Sequence, residues 1–177
     1  MQRKYITLYP TDPFVAHPGK TRLEEMLLRD GFFARHPEDD ETFILGEEYK
    51  KYFQPGEHHF EESHIRAWVE DFGNNPQLRT GSNVQHIQSM RLPSGKITGD
   101  AETANELIRK LQSDPHATWN DPQTGSEIPV YTIDFDHYVA FGNHFIGIDL
   151  YERPAPELTE ALFRITGIQY KYALYLM

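Results

Sequence analysis

The chain has 177 residues, with 27 Asp and Glu against 17 Lys and Arg, and carries a net charge of −10 with neutral histidines. Eleven Phe, ten Tyr and two Trp exclude a disordered acidic tail, because so much ring surface needs a core, and the length favours one α+β domain over residues 1–177. Lys and Arg are scattered, which argues against a nucleic-acid binder, and no apolar run is long enough to span a membrane.

Lys4 to Tyr9 alternates and is rich in β-formers, so it predicts a strand. The basic start is followed by no apolar signal-peptide region, and the expected compartment is the cytoplasm. Pro10 to Lys20 reads as a loop. Thr21 to Arg29 predicts a helix with Leu23, Met26 and Leu27 on one face, stopped by Gly31. Phe32 to Arg35 and Glu41 to Leu45 predict a hairpin across Pro37-Glu38-Asp39-Asp40. Glu47 to Phe53 predicts a second short helix, ended by Pro55-Gly56. Glu61 to Phe72 predicts a longer helix, because Ile65, Trp68, Val69 and Phe72 stand at i, i+3, i+4 and i+7 before Gly73.

Ser82 and Gln85 have capping-box spacing, which points to a helix over Val84 to Met90, and the same residues serve equally as a strand. Asp100 to Gln112 predicts a helix with Ala104, Leu107, Ile108 and Leu111 inward. Ser113 to Pro129 reads as a long loop punctuated by prolines. Val130 to Phe141 and His144 to Tyr151 predict strands joined at Gly142-Asn143, a dipeptide suited to a type II′ hairpin turn. Their apolar residues fall on both parities, which implies a bulge or burial on both faces. Pro156 opens a helix through Ile165, Gly167 ends it, and Ile168 to Met177 alternates as a final strand. The last third is therefore ββαβ, and the whole reads as a mainly antiparallel sheet packed with short helices.

Four groups of residues carry functional expectations. His58, Glu61, Glu62 and His64 have spacings that place carboxylate and imidazole on one helical face, a weak metal pattern whose plain reading is a solvated helix start. Asp134, Asp136, His137 and Asp149, with His144 beside them, lie on the expected hairpin. If Asp136 faces Asp149 across it, three carboxylates share one face and support metal-assisted hydrolysis. The plain reading is the wet side of a half-buried sheet. His116-Ala117-Thr118 is one half of a pattern that two-histidine phosphoesterases use twice, and no second copy exists. There is no nucleophile elbow, phosphate loop or dinucleotide fingerprint, so no cofactor is implied.

The fourth group is the charge itself. Between Glu38 and Asp71 eleven acidic residues stand against Lys50, Lys51 and Arg66, so this segment holds −8 of the −10. An acidic surface of Glu38, Asp39, Asp40, Glu41, Glu47 and Glu48, with Tyr49 and Tyr52 as anchors, would attract a basic protein partner. The sequence thus favours a protein-binding module over an enzyme: a small inhibitor or immunity-type protein that masks a basic surface such as a nuclease active site. The alternative is a metal-assisted hydrolase or phosphoesterase built on Asp134, Asp136, His137 and Asp149.

Overall fold

A computed structural model describes residues 4–53 and 64–176. Its centre is a six-stranded antiparallel sheet of β1 (Lys4–Pro10), β2 (Phe33–His36), β3 (Asp39–Leu45), β4 (Arg66–Asp71), β11 (His144–Ile148) and β12 (Tyr170–Leu176). The strand order is β12-β1-β11-β4-β3-β2, so β12 and β2 form the edges. Helices α1 (Lys20–Arg29) and α3 (Pro156–Thr166) cover one face. Ile6, Leu8, Val69, Ile146 and Ile148 point there and pack on Leu23, Leu27, Leu158 and Leu162.

The opposite face is also covered. A two-stranded ribbon of β5 (Gln77–Thr80) and β10 (Val139–Gly142) lies near it, and Ala140 packs with Tyr9, Phe145 and Ala173 of the main sheet. Arg79 of the ribbon makes a bidentate pair with Glu70 at 2.5 and 2.7 Å, and its guanidinium stands 4.9 Å from the Phe145 ring centroid. A second core joins the ribbon to α2 (Ala101–Ser113), where Leu107, Leu111, Ile133, Phe135 and Phe141 meet. Two small pairs complete the described fold: β6 (Met90–Arg91) with β7 (Ile97–Thr98), and β8 (Thr118–Asn120) with β9 (Glu127–Pro129).

Burial on both faces explains the main departure from the sequence reading. Residues 66–71 form strand β4, not a helix. Ile65, Ala67 and Val69 face the helices, while Trp68, Glu70 and Phe72 face the other way. Apolar residues at both parities imitate a helical stripe when each face has a partner. Trp68 lies across Gly147 of β11, where any Cβ would collide with the indole.

The Gly142-Asn143 hairpin is likewise not formed. β10 pairs with β5, whereas β11 pairs with β1 and β4, so the chain changes sheets at Asn143. Gly142 is required by close packing: a Cβ there would stand 2.8 Å from Cδ of Pro10. Residues 130–138 are a 3-10 turn and a loop, not a strand. The capping box at Ser82 is also not made. Residues Ser82–His86 form a 3-10 turn, and the Ser82 hydroxyl donates to the Leu176 carbonyl at 3.0 Å. The stretch 113–129 contains the β8–β9 hairpin, whose turn is tied by Asp121 accepting from Gln123 N–H and the Thr124 hydroxyl. Strand β5 lies in a polar stretch, 74–83, that the sequence marks as loop, and the β6–β7 pair is not anticipated by the sequence pattern either. Helices α1, α2 and α3 and strands β1 and β12 stand where expected. Asp100 caps α2 through Thr103 N–H at 2.8 Å, and Gly167 ends α3 in the left-handed region.

Candidate functional site

The acidic segment runs along one edge of the sheet. Glu38, Asp39, Asp40 and Glu41 are exposed at the β2–β3 turn, and Glu47 and Glu48 are exposed just past the other end of β3. At the rise of a strand the two groups lie roughly 20 Å apart. They flank an edge rather than merge into one patch. Asp39 shapes the turn by accepting from Glu41 N–H at 3.0 Å and from the Thr42 hydroxyl at 2.5 Å, and these bonds hold its carboxyl below the usual range. Glu47 pairs with Lys50 at 2.8 Å. Glu38, Asp39, Asp40, Glu41 and Glu48 make no ion pair among the described residues.

Tyr49 and Tyr52 are half-buried. They pack on the helix-side core, with Tyr49 edge-on to Phe32 at 4.9 Å and 5.8 Å from Tyr52. Part of their surface is therefore already committed to the fold. Glu70 and Asp71, counted in the same acidic segment, are engaged by other parts of the fold. Glu70 holds Arg79, and Asp71 accepts from Gly73 N–H and Lys20 N–H. Of the metal pattern, His58, Glu61 and Glu62 lie outside the described residues, and His64 stands edge-on to His36 at 4.8 Å.

The hairpin group meets a different fate. Asp134, Asp136 and His137 come together on a tight loop beside the edge strand β12. Asp136 and His137 both have positive φ, 58° and 59°, a conformation that costs a side-chain-bearing residue about 1–3 kcal/mol. The surroundings hold them there. Asp134 Oδ1 accepts from His137 N–H at 2.8 Å, Asp136 Oδ2 from Gln88 N–H at 3.1 Å, and the His137 carbonyl from Leu174 N–H at 2.6 Å. The His137 ring stacks on Tyr172 at 4.5 Å, and its Nδ1 is 3.3 Å from Asp134 Oδ2. Asp149 does not join them. Its N–H donates to the Arg66 carbonyl at 2.8 Å, past the end of β11. With no hairpin, Asp136 and Asp149 never face each other. Among the described residues no three of His, Asp and Glu are placed to hold a metal ion.

Two cavities meet at this loop. One, of about 340 Å³, is polar and includes Arg91, Asp136 and Arg153; the other, of about 320 Å³, opens between the loop, β12 and the start of α3. Asp134 and His137 line both. In the second cavity burial pushes the Lys171 ammonium down, opposed by Asp134, and pushes the Tyr9 and Tyr172 hydroxyls up.

A buried polar chain lies behind this corner. His144 is wholly buried, with Nδ1 at 2.8 Å from Asn143 Oδ1 and Nε2 at 2.7 Å from the Tyr170 hydroxyl. The His17 ring lies tilted against it at 4.6 Å and contacts Asp71 at 3.6 Å. Burial, reinforced by His17, lowers the His144 pKa to about 4. His116 of the lone His-x-Thr tripeptide simply stacks on Phe14 at 4.6 Å.

Sequence reasoning found Asp134, Asp136 and His137 but missed Tyr9, His17 and Lys171. Their partners are distant in sequence, and only the antiparallel register of β1 with β12 brings Tyr9 beside Lys171. Comparison with known proteins gave no match: no family model, curated sequence or solved structure matches this chain.

Proposed function

We propose that the protein binds a basic protein partner through the acidic β2–β3 edge, as an inhibitor or immunity-type protein that masks a surface such as a nuclease active site. The observation that carries this reading is the hairpin turn. Four consecutive acidic side chains are exposed there and make no ion pair among the described residues, the nearby Arg35 guanidinium donating instead to the Asp40 carbonyl, beside strand β2 at the sheet's edge. Like charges held together cost stability, and a basic partner relieves that cost on binding. Glu47 and Glu48 extend the negative field to the far end of the same edge. Tyr49 and Tyr52 offer half-buried ring surface there, as rigid contacts rather than free anchors.

The metal-assisted hydrolase built on Asp134, Asp136, His137 and Asp149 has less support, because only three of the four residues meet and they do so on a loop. The test is affinity capture from the source cell with the natural chain and with a variant carrying Asp40→Lys, Glu41→Lys, Glu47→Lys and Glu48→Lys. Asp39 is kept because it forms the turn. A basic protein retained by the natural chain, lost by the variant and released by salt supports the proposal. Recovery of the same proteins by both chains overturns it.

A further inference from the structure

The cavity of about 320 Å³ beside β12 contains hydrogen-bond donors that the fold leaves unused. Tyr9 and Lys171 are cross-strand neighbours on β1 and β12, so their side chains stand together on one face of the sheet. Tyr9 is only 6% exposed, and its hydroxyl has no hydrogen-bond partner among the described residues. Elsewhere among the described residues two fully enclosed side-chain atoms lack partners, Thr7 Oγ1 and Asn83 Oδ1. The Tyr9 hydroxyl is not one of them, so its small exposed surface opens on the cavity. The Lys171 ammonium also has neither an ion pair nor a hydrogen bond among the described residues. A buried hydroxyl left unpaired is expensive, and the half-buried Lys171 ammonium beside it is a second donor the fold does not engage.

The rest of the cavity narrows the ligand. Its far wall is apolar backbone and ring: Pro154, Ala155 and Pro156 at the start of α3, and the Tyr170 ring. Ala155, at the cap position of this eleven-residue helix, makes no side-chain cap bond, and Glu157 in the first turn offsets the helix's positive end, so the anion's partners are Tyr9 and Lys171. Asp134 also lines the cavity, with both oxygens near His137. One ammonium and one carboxylate leave little net charge. A monoanion with an apolar body suits that balance, because Lys171 is the only cation among the cavity's described lining residues and the next one, Arg153, lines the adjoining cavity.

We propose that this cavity binds a small carboxylic acid, whose carboxylate accepts from the Tyr9 hydroxyl and the Lys171 ammonium while its apolar body lies against Pro154–Pro156. The strained residues Asp136 and His137 fit this role, since their conformation fixes the Asp134–His137 wall against β12. The site is separate from the acidic edge and does not depend on it.

The test is a titration of the full chain, followed by ¹H–¹⁵N NMR, with benzoate, the neutral analogue benzamide and inorganic phosphate. Benzoate is expected to give saturable shifts on β1, β12 and the start of α3, with benzamide at least about tenfold weaker and phosphate without effect. Lys171→Met should weaken benzoate about tenfold and Tyr9→Phe about fivefold. Shifts that scatter or never saturate, equal binding of benzamide, or preference for phosphate would overturn the proposal. So would benzoate binding unchanged in both variants. If Lys171→Met fails to fold, the contrast between benzoate and benzamide on the natural chain still decides.

Discussion

The two edges of the main sheet are built on opposite principles. At the β2–β3 edge the charged residues are adjacent in sequence, exposed, and mostly free of partners among the described residues. At the β12 edge distant segments engage the backbone groups of Leu174 and Leu176. The Ser82–His86 turn closes the strand through Ser82 Oγ and Asn83 Nδ2, which bond the carbonyls of Leu176 and Leu174 at 3.0 and 2.7 Å, and His137 takes the Leu174 N–H. An exposed edge strand invites pairing with another chain, so one edge is capped by the fold while the other carries charge. A surface that meets a partner can be written locally. A cavity has to be assembled from several elements.

The contrast predicts that the two edges respond differently to perturbation. The largest effect is expected from acid. His144, which supports Tyr170 at the start of β12, has its folded pKa depressed to about 4 from an ordinary 6.5. The unfolded chain therefore binds more protons between these values, and stability present above pH 6.5 is lost as pH falls toward 4. The loss is at most about 3 kcal/mol, at 1.36 kcal/mol for each pKa unit. Denaturant unfolding at pH 7 and pH 4.5 should show it, and His144→Gln should flatten the difference while lowering stability at pH 7.

Next in size is Gly81→Ala. A Cβ at Gly81 would collide with the Leu176 carbonyl oxygen and press on Asn83 Oδ1, so the turn that caps β12 cannot seat. Both obstacles are held in place, one in the backbone and one in a buried side chain. A cost of about 2 kcal/mol is expected, visible as a lower midpoint in denaturant. The smallest effect is at the other edge. Glu38→Gln, Asp40→Asn, Glu41→Gln and Glu48→Gln should each change stability by less than about 0.5 kcal/mol, because none makes an ion pair among the described residues. A larger loss at this edge would mean that its charges serve the fold.

The same contrast explains what could be read from the sequence. The hairpin of β2 and β3 follows from its turn residues, α2 from Asp100 and its apolar stripe, and α3 from Pro156 and Gly167. These signals are local and their partners lie within one element. β4 was hidden because both of its faces are covered, and the alternating pattern disappeared with the wet face. Gly142-Asn143 has the chemistry of a hairpin turn, yet Gly142 serves close contact with Pro10. The corner was half legible. Asp134, Asp136 and His137 are close in sequence, but Tyr9 and Lys171 join them only through the register of β1 and β12. No spacing rule reports a pair separated by most of the chain.

The central claim is that the β2–β3 edge binds a basic partner by charge. The most direct measurement is calorimetric titration of the captured partner with the natural chain and the charge-reversed variant, at low and at physiological salt. The account predicts that affinity falls at least about tenfold on reversal and weakens steadily as salt screens the edge. Equal affinity for both chains, or binding indifferent to salt, would contradict it.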